Sequence, residues 1–142
     1  IEVYPENDFP WEKIKSQSFE PEKVAFVSDN DISINTTFSM GEINSINNSL
    51  HKLEIETESD STSFLIVSEV FYPLRWKATI DGEQIEYFKT NGVIRGLIIP
   101  KGRHKIVFNY DRSSFNKGVL ISLSSFFITI GMIIFGYRKS IY

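Results

Sequence analysis

Few residues in this sequence have the type and spacing for catalytic chemistry. Its two histidines are His51 and His104, each in a stretch that reads as a strand. His104 shares the parity of Ile106 and Phe108, and a histidine on such a face is more often packed and hydrogen-bonded than a base or a ligand. There is no Cys, so no disulfide framework and no thiolate metal site. HxxxH, EF-hand, GxGxxG and P-loop patterns are missing, and they are what metal and nucleotide sites of those classes require. No catalytic residue, metal ligand or cofactor is therefore assigned, and no nucleic-acid partner is expected. Glu54, Glu56 and Glu58 line one face of a strand and could hold a cation, although carboxylates so spaced are usually just solvated. Carbohydrate binding asks for exposed aromatic faces and a few planar polar groups. Tyr72, Trp76, Tyr87, Arg95 and Tyr110 supply those types, and Tyr72, Trp76 and Arg95 form the candidate substrate-binding set. The competing reading makes Trp76 a core anchor and pairs Arg95 with a neighbouring carboxylate. Asn35-Thr36-Thr37 and Asn47-Asn48-Ser49 match the N-glycosylation triplet, a pattern common by chance.

The elements that would position these residues are mostly strands. Between Phe64 and Tyr110, strand-type runs recur: a mostly apolar one over Phe64–Val70, then Trp76–Ile80, Glu83–Lys89, Val93–Ile99 and Arg103–Tyr110, with alternation clearest in Trp76–Ile80 and Arg103–Tyr110. Asp81-Gly82 and Asn91-Gly92 punctuate the series, as type I′ turns need φ > 0 at both central residues. Strands joined by such turns pair antiparallel, so the spacing predicts a meander with one buried face. Upstream, Glu42–Asn47 and His51–Glu58 alternate with Leu53 and Ile55 inward, and Asn47-Asn48-Ser49 reads as the turn between them. Asp29–Gly41 reads as a loop or a weak strand. The first 30 residues read strand–helix–strand: Ile1–Tyr4, a short helix capped by Asp8 with Pro10 in its first turn, then Lys23–Ser28. About seven short strands suggest a mainly β fold, an antiparallel β-sandwich of jelly-roll-like type over residues 31–112.

Gly118–Tyr137 is a run of 20 residues without a charge. That is about the length a helix needs to cross roughly 30 Å of hydrocarbon. Ser122, Ser124, Ser125 and Thr129 are tolerable there, because their hydroxyls can bond helix carbonyls or a neighbouring helix. Tyr137, Arg138 and Lys139 read as an interfacial anchor and a cytoplasmic stop, which places the C-terminus inside and the β-rich part outside. Residues 113–142 are thus a transmembrane helix with a short basic tail, and the short connection from Tyr110 keeps the sandwich near the bilayer. Residues 1–70 carry 14 acids and 4 bases, against 4 acids and 11 bases in residues 71–142. Either the basic half attracts anionic lipid or phosphate, or the two halves face each other across one fold. Ile in first position suggests a processed product or a piece of a longer chain.

The segment from Ser68 to Ser122 also resembles the C-terminal end of the YfhO family of bacterial multi-spanning membrane proteins. The matching residues are Tyr72, Pro73, Trp76, Lys77, Ala78, Asp81 and Gly82, then Asn91, Gly92 and Arg95. Pro100, Gly102, His104, Tyr110, Gly118 and Ser122 continue the match, and upstream Phe19, Pro21, Lys23 and Val24–Val27 look like the family's lead-in. The chain departs at Leu74-Arg75, where the family has a single Gly before Trp. The resemblance implies the extracytoplasmic C-terminal domain and last helix of a glycosyltransferase-like protein that glycosylates lipoteichoic acid or related envelope glycans. The family's catalytic carboxylate lies in a loop near the N-terminal helices, and nothing here aligns with it. The expectation is a piece inactive alone, whose parent is a lipid-linked-sugar transferase in the bacterial cell membrane. Its partners would be membrane lipid, an upstream membrane domain of the same protein, and a glycan or anionic envelope polymer. A membrane-anchored carbohydrate- or polymer-binding module and a purely structural domain are the alternatives.

Overall fold

The computed structural model describes residues 2–4, 9–21, 23–28 and 38–141. The Asp8 cap, the Asn35 triplet and most of the Asp29–Gly41 loop lie outside the described residues. In chain order the elements are β1 (Glu2–Tyr4), α1 (Trp11–Lys15), β2 (Phe26–Ser28), β3 (Glu42–Ser49), β4 (Lys52–Ser59) and β5 (Ser63–Val70). β6 (Trp76–Ile80), β7 (Glu83–Ile85), β8 (Phe88–Thr90), β9 (Ile94–Ile99), β10 (Gly102–Tyr110) and α2 (Ser113–Ile141) complete them. The chain divides into two compact units, Ile1–Tyr110 and Asp111–Tyr142.

Unit one is a sandwich of two five-stranded sheets, ordered β1-β2-β8-β9-β5 and β3-β4-β10-β6-β7. Alternation produces its core. Leu53 and Ile55 of β4, Ala78 of β6, and Ile106 and Phe108 of β10 face Val67 of β5 and Leu97 and Ile99 of β9. Burying such side chains against each other is worth roughly 1.5–3 kcal/mol apiece and holds the two sheets together. β1 and β2 pair in parallel, which a chain can do only through a crossover, here the segment carrying α1. β2 meets β8 through Val27 and Thr90, so the strand–helix–strand lead-in is part of one sheet. The other pairings between strands of the two sheets are antiparallel.

The two expected tight turns are present. Asp81 and Gly82 have φ of 52° and 92°, Asn91 and Gly92 have 48° and 81°, positive at both positions as the type I′ geometry needs. They join β6 to β7 and β8 to β9. The single meander, in contrast, does not form. Glu83–Lys89 is two strands, and Glu86-Tyr87 carries the chain from one sheet to the other. Pro100-Lys101 does the same between β9 and β10. Alternation reports which face of a strand is buried and is silent about which neighbour it pairs with, so one meander and two interleaved hairpins leave the same pattern.

β3 is also more peripheral than its alternation suggests. It lies at a sheet edge and is exposed along its whole length, with a register irregularity between Ile43 and Ser45. Its pairing with β4 runs to Ser49 and Lys52, so the turn falls on Leu50-His51 and Asn47-Asn48-Ser49 is strand. His51 is therefore a turn residue. α1 is only five residues long, with Pro10 at its N-cap position and no side-chain cap; Lys13 and Ile14 donate their amides to the Pro10 carbonyl.

Unit two is dominated by α2, whose described side chains are all exposed. Ser113–Tyr137 has a mean hydropathy of 2.3 over its most apolar window, long and apolar enough to cross a membrane. The helix begins before the uncharged run because the Ser113 amide donates to Asp111 Oδ1 at 2.8 Å, satisfying one of the orphan donors of a helix start. Ser124, Ser125 and Thr129 turn their hydroxyls onto the carbonyls of Leu120, Ile121 and Ser125 at 2.8, 3.1 and 2.9 Å. Each thereby hides its polar group inside the helix, as an apolar surrounding requires.

Candidate functional site

Two of the three sequence-selected residues, Trp76 and Arg95, converge at one end of the sandwich, where β5, β6, β9 and β10 meet. β9 places Arg95 on the same inward parity as Leu97 and Ile99, and only 1 % of its surface is exposed. Its guanidinium lies 4.5 Å from the ring centre of Trp76 and 5.2 Å from that of Phe108. An irregularity between Val67 and Val70 brings the end of β5 over this position, and Arg95 Nε donates to the Val70 carbonyl at 2.9 Å. Nη1 is buried with no hydrogen-bond partner among the described residues. The cation is thus held by aromatic faces and one carbonyl instead of the carboxylate the sequence suggests. Burial pushes the guanidinium below its ordinary value, opposed by Tyr87 and Glu69; it starts so high that it stays charged.

Trp76 is half-buried and roofs Arg95. Its ring stands edge-on to Tyr110, with centroids 5.4 Å apart at 74°. Tyr87 completes the cluster, edge-on to both Phe71 at 5.3 Å and Phe108 at 5.4 Å. The Tyr87 hydroxyl donates to the Trp76 carbonyl at 3.1 Å, and burial raises its pKa. Tyr72 sits apart on the loop between β5 and β6, 45 % exposed. So the structure packs Trp76 against Arg95 and leaves Tyr72 in solvent.

A groove of about 390 Å³ opens beside Trp76 and Tyr87, with Lys77, Gln84 and Glu86 on its walls. An aromatic floor with an amide and a carboxylate on the walls is a donor and acceptor set suited to hydroxyl-rich ligands. Gln84 and Glu86 escape sequence reasoning because they read as solvated strand residues; the register of the β6–β7 hairpin, Thr79 opposite Gln84, sets them along the groove that Trp76 lines. A larger cleft of about 730 Å³ lies between the edges formed by β3 and β5, lined in part by Ala25, Gly41, Phe64 and Thr57. Thr57 Oγ1 is buried there without a partner among the described residues.

The remaining titratable candidates are tied into the frame. His104 Nδ1 donates to Asp81 Oδ2 at 2.6 Å, and its Nε2 lies 3.2 Å from the Lys101 carbonyl. The Asp81 carboxylate raises the imidazole's pKa above its ordinary value. Asp81 is itself held low, first by the Lys105 amide that donates to Oδ1 at 2.8 Å, then by His104. Glu54 meets Lys105 at 2.9 Å and Lys52 at 3.0 Å, and Glu58 meets Arg103 at 3.2 Å. The glutamate face is therefore laced with cations from within the chain.

No protein-family model, no curated protein and no solved structure matches this chain.

Proposed function

We propose that the chain is a non-catalytic extracytoplasmic β-sandwich with the last membrane helix of a multi-spanning, glycosyltransferase-like bacterial membrane protein that glycosylates cell-envelope polymers. The observation that carries this reading is the junction of the two units. A closed sandwich ends at Tyr110, and three residues later a helix begins that is apolar enough to span. The resemblance to the YfhO family supplies the envelope chemistry, through Tyr72, Pro73, Trp76 and the two Gly-containing turns. The sandwich stands outside because Arg138 and Lys139 follow the span on the other side.

The chain has no Cys, so single-cysteine variants report topology cleanly. Asp60→Cys in intact cells reacts with a membrane-impermeant maleimide, and Ser140→Cys reacts only after permeabilisation. The reverse pattern overturns the orientation. Deleting residues 1–110 from the parent lowers the sugar content of its lipid-linked polymer; unchanged glycosylation overturns the assignment.

A second reading, favoured by the groove at Trp76, is that the sandwich binds a glycan directly. Tyr72 and the open part of Trp76 then meet the sugar, and Arg95 beneath holds Trp76 in place. Gln84→Ala, on the groove wall, weakens oligosaccharide binding at least several-fold without unfolding the domain, whereas equal binding by Gln84→Ala and Trp76→Ala removes this reading.

A further inference from the structure

We infer that the end of the sandwich nearest α2 in sequence is a lipid-docking rim that seats in the headgroup region of the bilayer. The registers define that end. Tyr110 pairs with Trp76, and its amide donates to the His51 carbonyl, so the Leu50-His51 turn and the loop between β5 and β6 lie beside the exit of β10. Val70 pairs with Ile94, and the Phe71 amide donates to the Val93 carbonyl, which adds the β8–β9 turn to the same end.

Leu50, Val70, Leu74 and Val93 stand there more than half exposed, Leu50 at 86 % and Leu74 at 74 %. No described residue of the sandwich covers these four side chains. The connections at the opposite end, Asp60-Ser61, Asp81-Gly82 and Pro100-Lys101, carry polar and charged residues, glycine or proline, and Met40 is an exposed large apolar side chain there. Tyr72 adds an aromatic ring with a polar tip, the kind of side chain favoured at membrane interfaces. Lys77 nearby is an exposed cation, of the sign that anionic headgroups attract.

The tether names the occupant. It rests on the reading of α2 as a membrane span. Three Cα steps, at most about 11 Å, separate Tyr110 from Ser113. The helix rises about 7.5 Å from Ser113 before the uncharged run starts at Gly118. The rim end is thus leashed within roughly 20 Å of the hydrocarbon, and headgroups fill part of that gap. Exposed leucines held at that distance find lipid at a far higher effective concentration than any free protein partner.

The test is lipid quenching of a polarity-sensitive fluorophore on the full chain, reconstituted in vesicles of equal parts phosphatidylcholine and phosphatidylglycerol. Single cysteines go to Leu74, Leu50, Asp60 and Phe126. Nitroxide lipids labelled near the headgroup quench Leu74→Cys and Leu50→Cys several-fold more than Asp60→Cys, and lipids labelled deep in the acyl chain quench Phe126→Cys. Rim labels that match Asp60→Cys, while Phe126→Cys is still quenched, overturn the rim and leave the span intact. Loss of Phe126→Cys quenching overturns both. Blue-shifted Leu74→Cys emission that nitroxide lipids cannot reach means a protein surface covers the rim, and also overturns the proposal.

Discussion

Arg95 and His104 are both basic side chains on core-facing parities of strands consecutive in the sequence, and they are held in opposite ways. Arg95 is buried between Trp76 and Phe108, with one carbonyl bond and one nitrogen unpartnered. His104 is near the surface, with acceptors facing both ring nitrogens. Around Arg95 water is gone, so shape and aromatic faces set the energy. Around His104 water remains, so hydrogen-bond geometry and pH set it. One position is a packing element that happens to be charged; the other is a pH-sensitive clasp between the β6–β7 turn and β10.

The largest effect that sharpens this contrast is at Arg95. Arg95→Ala empties the space between Trp76 and Phe108 and costs about 2–5 kcal/mol. Arg95→Met keeps most of the volume and costs under about 1.5 kcal/mol if packing is what matters. Denaturant unfolding of both variants decides it, and equal losses would break the contrast. Gly96→Ala comes next. A Cβ at Gly96 collides with Thr90 Oγ1 and the Phe64 ring, and relieving that overlap costs about 1–3 kcal/mol; a thermal melt unchanged from the parent would show the sheet gives way freely.

A smaller loss follows at Asn91. Its Oδ1 accepts from the Phe26 amide at 2.9 Å while its own amide donates to the Phe26 carbonyl at 2.8 Å. Asn91→Ala removes the first bond and puts a poorer residue at positive φ, for about 1–2 kcal/mol. Hydrogen exchange at the Phe26 amide should rise selectively.

The smallest effect is the clasp, and its sign is fixed by linkage. His104 is raised when folded, so its contribution is full below the ordinary histidine value of 6.5 and fades as pH rises through the folded value. Asp81 is lowered, so its contribution is full above its ordinary 3.8 and fades as pH falls through the folded value. Both are complete only between those ordinary values, and stability should crest there. His104→Gln flattens the alkaline side of that crest in melting curves, and an unflattened profile would place the pH dependence elsewhere.

Much of the fold is legible locally. Asp81-Gly82 and Asn91-Gly92 announce their turns because few other residues accept two positive φ angles in succession. Leu53, Ile55, Ile106 and Phe108 announce their face by alternation. The candidate site is less legible. Trp76 and Arg95 are evident as residue types, yet an arginine reads as a surface group, and the irregularity in β5 that supplies the Val70 carbonyl leaves no pattern. Gln84 and Glu86 look like ordinary solvated strand residues until the β6–β7 register shows that they line the groove with Trp76.

Sequence alone determined the period-2 strands, the two glycine turns and the long helix built on an uncharged run, since each depends on residues close together in the chain. Only the tertiary structure decided that consecutive hairpins alternate between two sheets and that Arg95 lies inside. Partner choice and burial are settled by contacts between distant segments, and the same local pattern is compatible with more than one set of them.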